Sequence, residues 1–444
     1  MRRFKNNPFT TQVIVFVLHK SSINVSMSIL MTSILDVIFY ILIFLSVYVQ
    51  VFFLITFIEN RKKIVTRHGD VKLSFYPAVT VTVPCWNEAD TVGKTVNSLL
   101  SLNYPKDKLK IFLIDDGSTD STLNEINKFR EYPNVTIFQK KNGGKHTALN
   151  LGLENLETDF FGCLDADSVA HPDSLVRIMS YFEKDESAMA VAPSVTVYNP
   201  KNIIQHAQKA EYHMGVYFKK MLGTLGAINV TPGPLTVFRK KVFDNLGPYR
   251  HGHSTEDMEI AYRMQKNRYK IEHCNDAYVY TNTPRTVRKL YRQRLRWIYG
   301  FINNTIDYRE VLFNKKYGNF ATFTLPMGVI SIFAVSFLFG RIMVNIFNFI
   351  NQKIMQFTTV GFDFNVKAFS FDPFFINTQS FIFLIGLIYL LVIFAILFGQ
   401  KMTKEKQMFS LRILYFFPVF GIIAPLWFLK GIYNTILSRK PSWR

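Results

Sequence analysis

Four stretches of this chain contain no Asp, Glu, Lys or Arg: residues 37–58, 320–340, 381–399 and 413–429. A helix needs about 20 apolar residues to cross the hydrocarbon of a bilayer, which is about 30 Å thick. The first three runs are long enough. The fourth is shorter and carries Pro418 and Pro425, which predicts a broken or re-entrant helix. Runs of this kind fold around a membrane, so an integral membrane protein is expected. The first run is too long for the apolar part of a cleaved signal peptide, and no small-residue cleavage site follows it.

Between the first and second runs the character changes. Residues 59–318 mix charged and apolar positions and read as a soluble domain, so 444 residues divide into more than one domain. Arg61, Lys62, Lys63 and Arg67 follow the first run and mark its cytoplasmic end by the positive-inside rule. The net charge of +20 then points to a membrane surface and anionic substrates. Nucleic acid is not an expected partner, since no recognised binding module appears. Cys85, Cys163 and Cys274 form no C-x-x-C pair, so neither a disulfide framework nor a structural zinc site is expected. Residues 1–26, with Arg2, Arg3, Lys5, Lys20 and a short apolar stretch at Val13–Leu18, receive no assignment, and translation from Met27 is an alternative.

From Ala78 the pattern alternates between short apolar runs and helical periods. Strands are predicted at Ala78–Val83, Leu109–Ile114, Asn134–Gln139 and Asp159–Leu164, with helices at Asp90–Leu102, Ser121–Arg130 and His146–Asn155. Repeated βαβ units imply a largely parallel sheet covered by helices on both faces. Each strand ends in a polar cluster: Asn87-Glu88, Asp115-Asp116-Gly117-Ser118, Lys140–Lys145 and Asp165-Ala166-Asp167. All four fall on the carboxyl edge of the sheet, where open α/β sheets bind ligands. Taken singly, each cluster fits a turn or helix N-cap equally well. Their succession at four strand ends makes that edge the candidate site.

The chemistry of the clusters is complementary. Two carboxylates one residue apart, Asp165 and Asp167, repel each other unless a positive group sits between them, and a hard divalent cation gripping a diphosphate suits the pair. The glycines after Asn142 would let backbone N–H groups approach phosphate, and Lys145 adds charge. Further on come Gly233-Pro234, Thr255-Glu256-Asp257 and Gln293-Arg294-Leu295-Arg296-Trp297. Residues 284–303 fit an amphipathic helix, with Arg285, Arg288, Arg292 and Arg296 on one face and Val287, Tyr291, Leu295, Ile298 and Ile302 beside it. Such a helix ahead of a spanning run belongs at the membrane interface, where Arg285 and Arg288 neutralise lipid headgroups. Displacement of a diphosphate by an acceptor hydroxyl would need charge on the leaving group, from Arg294 or Arg296, and a base for the hydroxyl, Asp257. With no nucleophile marked out for a double displacement, direct displacement with inversion is expected. Trp297 offers a flat face to a sugar ring, or anchors the helix in the interface.

In this order the motifs resemble those of the processive, membrane-bound members of glycosyltransferase family 2, the cellulose, chitin, hyaluronan and poly-N-acetylglucosamine synthases. The resemblance covers residues 78–300 and the flanking helices, with Gln293–Trp297 its most diagnostic part. It implies an α/β A-type glycosyltransferase domain, mostly parallel in its sheet, inserted between transmembrane and interfacial helices. The boundaries are then an N-terminal segment and transmembrane helix at 1–60, a cytoplasmic glycosyltransferase domain at 61–283, interface helices at 284–318 and C-terminal transmembrane helices at 319–444. The resemblance also implies roles. Glu88 and Asp116 would contact uridine and Lys145 would lie near the nucleotide. Asp165 would hold the diphosphate, Asp167 would hold it through Mg²⁺ or Mn²⁺, and Asp257 would be the base, with Glu256 beside it. Gln293, Arg294, Arg296 and Trp297 would sit at the diphosphate and acceptor. Gly233 falls where the family reads the acceptor end, although Pro232 replaces the usual Ser.

The expectation is a metal-dependent, inverting enzyme of the plasma membrane that polymerises a UDP-sugar, first choice UDP-N-acetylglucosamine, into a β-linked polysaccharide and exports it. Its partners would be the donor, the growing acceptor, membrane lipids and a small membrane or export subunit. No cyclic-dinucleotide module is expected after the last run, which argues against a cellulose synthase regulated through one. A non-processive enzyme adding one or two sugars to a lipid is the alternative within the class. A transporter or channel with a soluble regulatory domain is the alternative outside it, and leaves the ordered motifs without a reason.

Overall fold

The computed structural model describes residues 8–65, 71–360, 380–403 and 410–441, so Arg2, Arg3, Lys5, Arg67 and Arg444 lie outside the described residues. Helix α1 (Pro8–Val65) precedes the predicted alternation: β1 (Val79–Cys85), α2 (Val92–Leu100), β2 (Leu109–Asp115), α3 (Thr122–Asn127), β3 (Val135–Gln139), α4 (Lys145–Glu154) and β4 (Phe160–Cys163). Then follow β5 (Ser168–Ala170), α5 (Ser174–Lys184), β6 (Ala188–Val197), α6 (Ile203–Thr224), β7 (Thr236–Arg239) and α7 (Lys241–Leu246). The last elements are α8 (Glu256–Lys266), β8 (Lys270–Thr281), α9 (Val287–Asp307), α10 (Leu325–Val360), α11 (Ser380–Met402) and α12 (Phe416–Ile436).

The eight strands form one sheet in the order β3-β2-β1-β4-β7-β6-β8-β5. β3, β2, β1 and β4 are parallel, as the βαβ pattern requires. β7 then enters antiparallel between β4 and β6, while β6 pairs with β8 in parallel and β5 with β8 antiparallel. The sheet is therefore mixed, and its parallel half is the half read from sequence. Strand β1 is buried on both faces, so its threonines Thr80 and Thr82 are as enclosed as its valines. Thr80 offsets that cost through a 2.8 Å hydrogen bond between hydroxyls with Thr158. One core packs Val81, Val83 and Ile111 against Val96 of α2, Ile126 of α3 and Ile178 of α5. On the other face Phe161 and Phe238 pack against Leu149 of α4, Val242 of α7 and Ile260 of α8.

The chain divides into two compact units. One, Met1–Phe52 with Phe349–Leu390, takes in parts of α1, α10 and α11, where Phe44, Tyr48, Phe349 and Ile350 stand exposed. The other, Phe53–Asn348 with Leu391–Arg444, contains the whole sheet, α2–α9 and α12. Among the described residues, four helical stretches are long and apolar enough to cross a membrane: Ile34–Lys62, Phe320–Thr359, Phe383–Met402 and Leu411–Ile436.

Two expectations change here. Helix α12 is not broken, because it runs continuously from Phe416 to Ile436 with Pro425 inside it. Pro418 falls in the first turn, where its missing N–H has no intrahelical partner to lose. Packing of Phe420 and Trp427 against Leu290 and Leu295 of α9 and Ala207 of α6 holds the rest together. The predicted face of α9 is also rotated. Val287 is 46% exposed, whereas Leu290, Arg294, Leu295 and Tyr299 are buried. Thr286 caps this helix by accepting from the Lys289 N–H.

Candidate active site

The carboxyl ends of β1, β2, β3 and β4 place their polar clusters on one edge, as the parallel register demands. At its centre Lys145, the first residue of α4, sets its Nζ 2.6 Å from Asp165 and 3.2 Å from Glu256. Burial alone would lower Lys145, but Asp165 and Glu256 outweigh it and hold the ammonium well above its usual range. Likewise burial would raise Glu256, and Lys145 reverses the sign. A single cation thus joins the carboxylate after β4 to the one opening α8. Gly233 makes room for it: a Cβ there would lie 2.5 Å from both Lys145 Nζ and Asp165 Oδ1. We expect Gly233→Ala to fold normally, as judged by an unchanged melting temperature, and to lose about 10²-fold in kcat/KM through misplacement of the pair. Wild-type activity in that variant would remove the pair from the reaction.

Asp167 sits one residue beyond a buried Ala166, with Oδ1 accepting from the Ser168 hydroxyl at 3.2 Å. Burial first, then the charges of Asp165 and Glu88, push it up to about 7. Excess negative charge and oxygen-only donors are what a hard divalent cation relieves, so these residues fit Mg²⁺ or Mn²⁺. Among the described residues no three His, Cys, Asp or Glu side chains form a ready cage. A cation at Asp167 would complete its shell with substrate phosphate and water.

The glycine loop departs from expectation. The N–H groups of Gly143 and Gly144 donate to the two carboxylate oxygens of Asp116 at 3.1 and 2.9 Å, and Lys140 donates to Oδ1 at 2.6 Å. These amides are turned to Asp116 instead of lying open to phosphate. Asp116, 2% exposed, is the post on which the β2 and β3 loops are fastened. Gly117, at φ +70°, lets the Asn142 backbone approach; a Cβ there would lie 2.6 Å from its nitrogen. Glu88 receives the Thr91 hydroxyl at 2.8 Å, and its backbone N–H donates to Thr122 Oγ1 at 2.8 Å.

Ahead of α8 three successive residues, Gly252, His253 and Ser254, have positive φ of 49°, 53° and 66°. That left-handed turn is unfavourable for His and Ser, and surrounding contacts fix it. Asn304 of α9 donates to the Gly252 carbonyl at 3.2 Å and to Thr255 Oγ1 at 3.0 Å, and Arg296 donates to the Ser254 carbonyl at 2.9 Å. Gly300 lets α9 meet the turn, since a Cβ there would lie 2.2 Å from Thr255 Oγ1. Two motifs forty residues apart in sequence are thereby joined. Asp257 is pushed up to about 6 by burial, then by Glu256, with Lys145 and Arg296 opposing. A half-buried carboxylate titrating there suits a general base near neutral pH.

Arg294 and Arg296 are not equivalent. Arg294 is 5% exposed and spends its charge on Glu211 of α6 at 2.6 Å, with its guanidinium carbon 4.0 Å from the centroid of the Trp297 ring. It is therefore not a candidate for the diphosphate, which leaves Arg296, whose charge reaches Glu256 and Asp257. The Gln293 carbonyl oxygen is buried without a hydrogen-bond partner. Helix α6 lies outside the predicted site, yet it contributes to it. Tyr212, pushed up to about 12 by burial, also feels Arg294, Glu211, Asp167 and Asp165. Lys219, lowered to about 8 by burial, feels Asp257. Gly300 and Asn304 also lie outside the predicted site, whereas Lys140, from the Lys140–Lys145 cluster, enters it through Asp116. The available signal was polar residues recurring on one helical face: Gln205, Gln208, Tyr212 and Lys219.

A three-layer α/β domain whose sheet ends, at its carboxyl edge, in clustered carboxylates around a half-buried lysine has the arrangement of an A-type nucleotide-sugar transferase domain. Residues 77–300 match the model of the "Glycosyltransferase like family 2" family, and the chain belongs to that family. It is similar to the poly-beta-1,6-N-acetyl-D-glucosamine synthase of Staphylococcus epidermidis, 28% identical over 309 residues, covering 68% of this chain and 73% of that protein. It is equally similar to the synthase of the same name from Staphylococcus aureus strain MSSA476, 28% identical over 268 residues, 60% of this chain. That match spans 63% of the length of the Staphylococcus aureus protein. A mannosyltransferase from Pyrobaculum calidifontis, solved with GDP-mannose and Mn²⁺, shares the fold at a TM-score of 0.56 and 15% identity, covering 90% of this chain and 99% of its own.

Proposed function

We propose that the chain is a processive, inverting hexosyltransferase of the plasma membrane. It would polymerise a UDP-sugar, first of all UDP-N-acetylglucosamine, into a β-linked polysaccharide and pass it across the bilayer. The catalytic domain would face the cytoplasm, in contact with lipids and with an export subunit. The observation that carries this reading is Lys145 bridging Asp165 and Glu256, which puts the diphosphate carboxylate in one cluster with Glu256, whose neighbour Asp257 feels the same ammonium. The two synthase relatives support the sugar and the product, and the four apolar helices support the setting.

In this reading the loops fastened on Asp116 seat the nucleoside, with Glu88 at their rim. Asp257 accepts the proton of the acceptor hydroxyl as that oxygen attacks C1 of the donor sugar. The bond from C1 to the diphosphate oxygen breaks, the configuration inverts, and UDP leaves with the electron pair. Arg296 and Lys145 hold the departing charge. A divalent cation at Asp167 would supply further charge stabilisation to the diphosphate. Gln293 and Trp297 take the acceptor end.

The donor is tested by calorimetric titration of purified protein with UDP-N-acetylglucosamine, UDP-glucose, UDP-glucuronate and GDP-mannose. Preferential binding of the first supports the reading, and preference for GDP-mannose overturns it. The cation site has a separate test. Because Asp167 is raised in the folded protein, the stability of its neutral form is complete below its ordinary value of 3.8 and lost as pH rises through about 7. In metal-free protein Asp167→Asn should therefore melt above wild type at pH 8, with the gap narrowing toward pH 4. Mn²⁺ should raise the melting temperature of wild type but not of the variant. A variant that Mn²⁺ stabilises as much as wild type would place the cation elsewhere.

A further inference from the structure

The Glu211–Arg294–Trp297 chain is unused by the donor chemistry. Its two links are short: 2.6 Å from Glu211 Oε2 to Arg294 Nη2, then 4.0 Å from the guanidinium carbon to the indole centroid. The Arg294 side chain is 6% exposed and that of Glu211 25%, so the pair sits mostly out of water. A guanidinium buried this far requires its carboxylate, because removing one partner leaves an uncompensated charge. The Arg294 Nε has no hydrogen-bond partner, so Glu211 and the indole face are what orient the group. Stacking on an arginine occupies one face of Trp297. The next residue, Tyr212, lies within electrostatic reach of Arg294, Asp165 and Asp167, so the same turn of α6 borders the donor carboxylates.

We infer that Glu211 is a positioning residue for chain elongation: it holds Arg294 on one face of Trp297 and so leaves the terminal sugar of the acceptor the opposite face. This rests on the processive reading above. It joins α6, which borders the donor, to α9, which carries the acceptor platform.

The test is a cycle of Glu211→Gln, Trp297→Phe and the double variant. UDP affinity and melting temperature report the fold, product length reports elongation, and indole emission, taken as the difference from Trp297→Phe, reports the stack. Glu211→Gln should keep UDP affinity within about twofold, shift the Trp297 emission and shorten the product. In the Trp297→Phe background the same change should shorten it no further, because coupled residues are non-additive. Normal product length in Glu211→Gln, or equal losses in both backgrounds, would overturn the inference and leave a structural ion pair. If wild type makes no polymer from any UDP-sugar, the functional reading fails. The emission then decides the geometry alone: an unshifted Trp297 in Glu211→Gln overturns the clamp, and a shifted one upholds it.

Discussion

Asp257→Asn should lower turnover by about 10²–10⁴-fold while leaving UDP affinity nearly unchanged, since acid–base catalysis contributes that much when a positioned base is lost. The substitution keeps the shape of the side chain, and its Oδ1 can still accept the Met258 N–H that Asp257 accepts at 2.9 Å. Only the basic lone pair disappears. The pH profile offers a second readout. Because Asp257 titrates at about 6, the wild-type rate should rise as pH passes through that value and the carboxylate ionises. The variant should lack that limb. Equal losses of UDP binding and transfer would make Asp257 a nucleotide ligand, and the base would have to be sought elsewhere.

Trp297→Ala should spare UDP binding and curtail elongation. An aromatic platform is worth about 0.5–1.5 kcal/mol, which makes the acceptor dissociate about two- to tenfold faster. Polymer length follows the ratio of elongation to release, so it should fall at least by that factor. The loss is larger if Arg294, deprived of the indole beneath it, also moves. At the limit only hydrolysis or very short products remain. Free sugar and polymer length measured in one assay check this directly. Normal polymer at a normal rate would reduce Trp297 to an anchor for α9.

Much of this was legible because parallel strands are short, apolar and buried, and polar loops follow each one. The four strand-end clusters stood out for that reason, and the structure places Glu88, Asp116, Lys145 and Asp165–Asp167 along one edge. Tertiary packing hid the rest. A sequence cannot show that the Gly143 and Gly144 amides turn inward to Asp116, since the same glycines suit an open phosphate cradle. Nor could the arginine spacing on α9 separate Arg294 from Arg296. Their difference depends on Glu211, some eighty residues away on a helix whose facing is set by α12 and the sheet. Gly300 illustrates the same limit. A glycine inside a helix reads as a weakness, and only the 2.2 Å approach of Thr255 explains it.

In the processive reading this edge joins sugars in β-linkage into a long chain. The most direct measurement is to incubate the purified full-length protein in lipid with UDP-N-acetylglucosamine and Mn²⁺, size the product, and digest it with a hydrolase specific for β-linked N-acetylglucosamine. The predicted result is stoichiometric UDP release with long polymer that the hydrolase degrades completely. UDP release with only one or two sugars transferred, or an α-linked product that resists digestion, would contradict it.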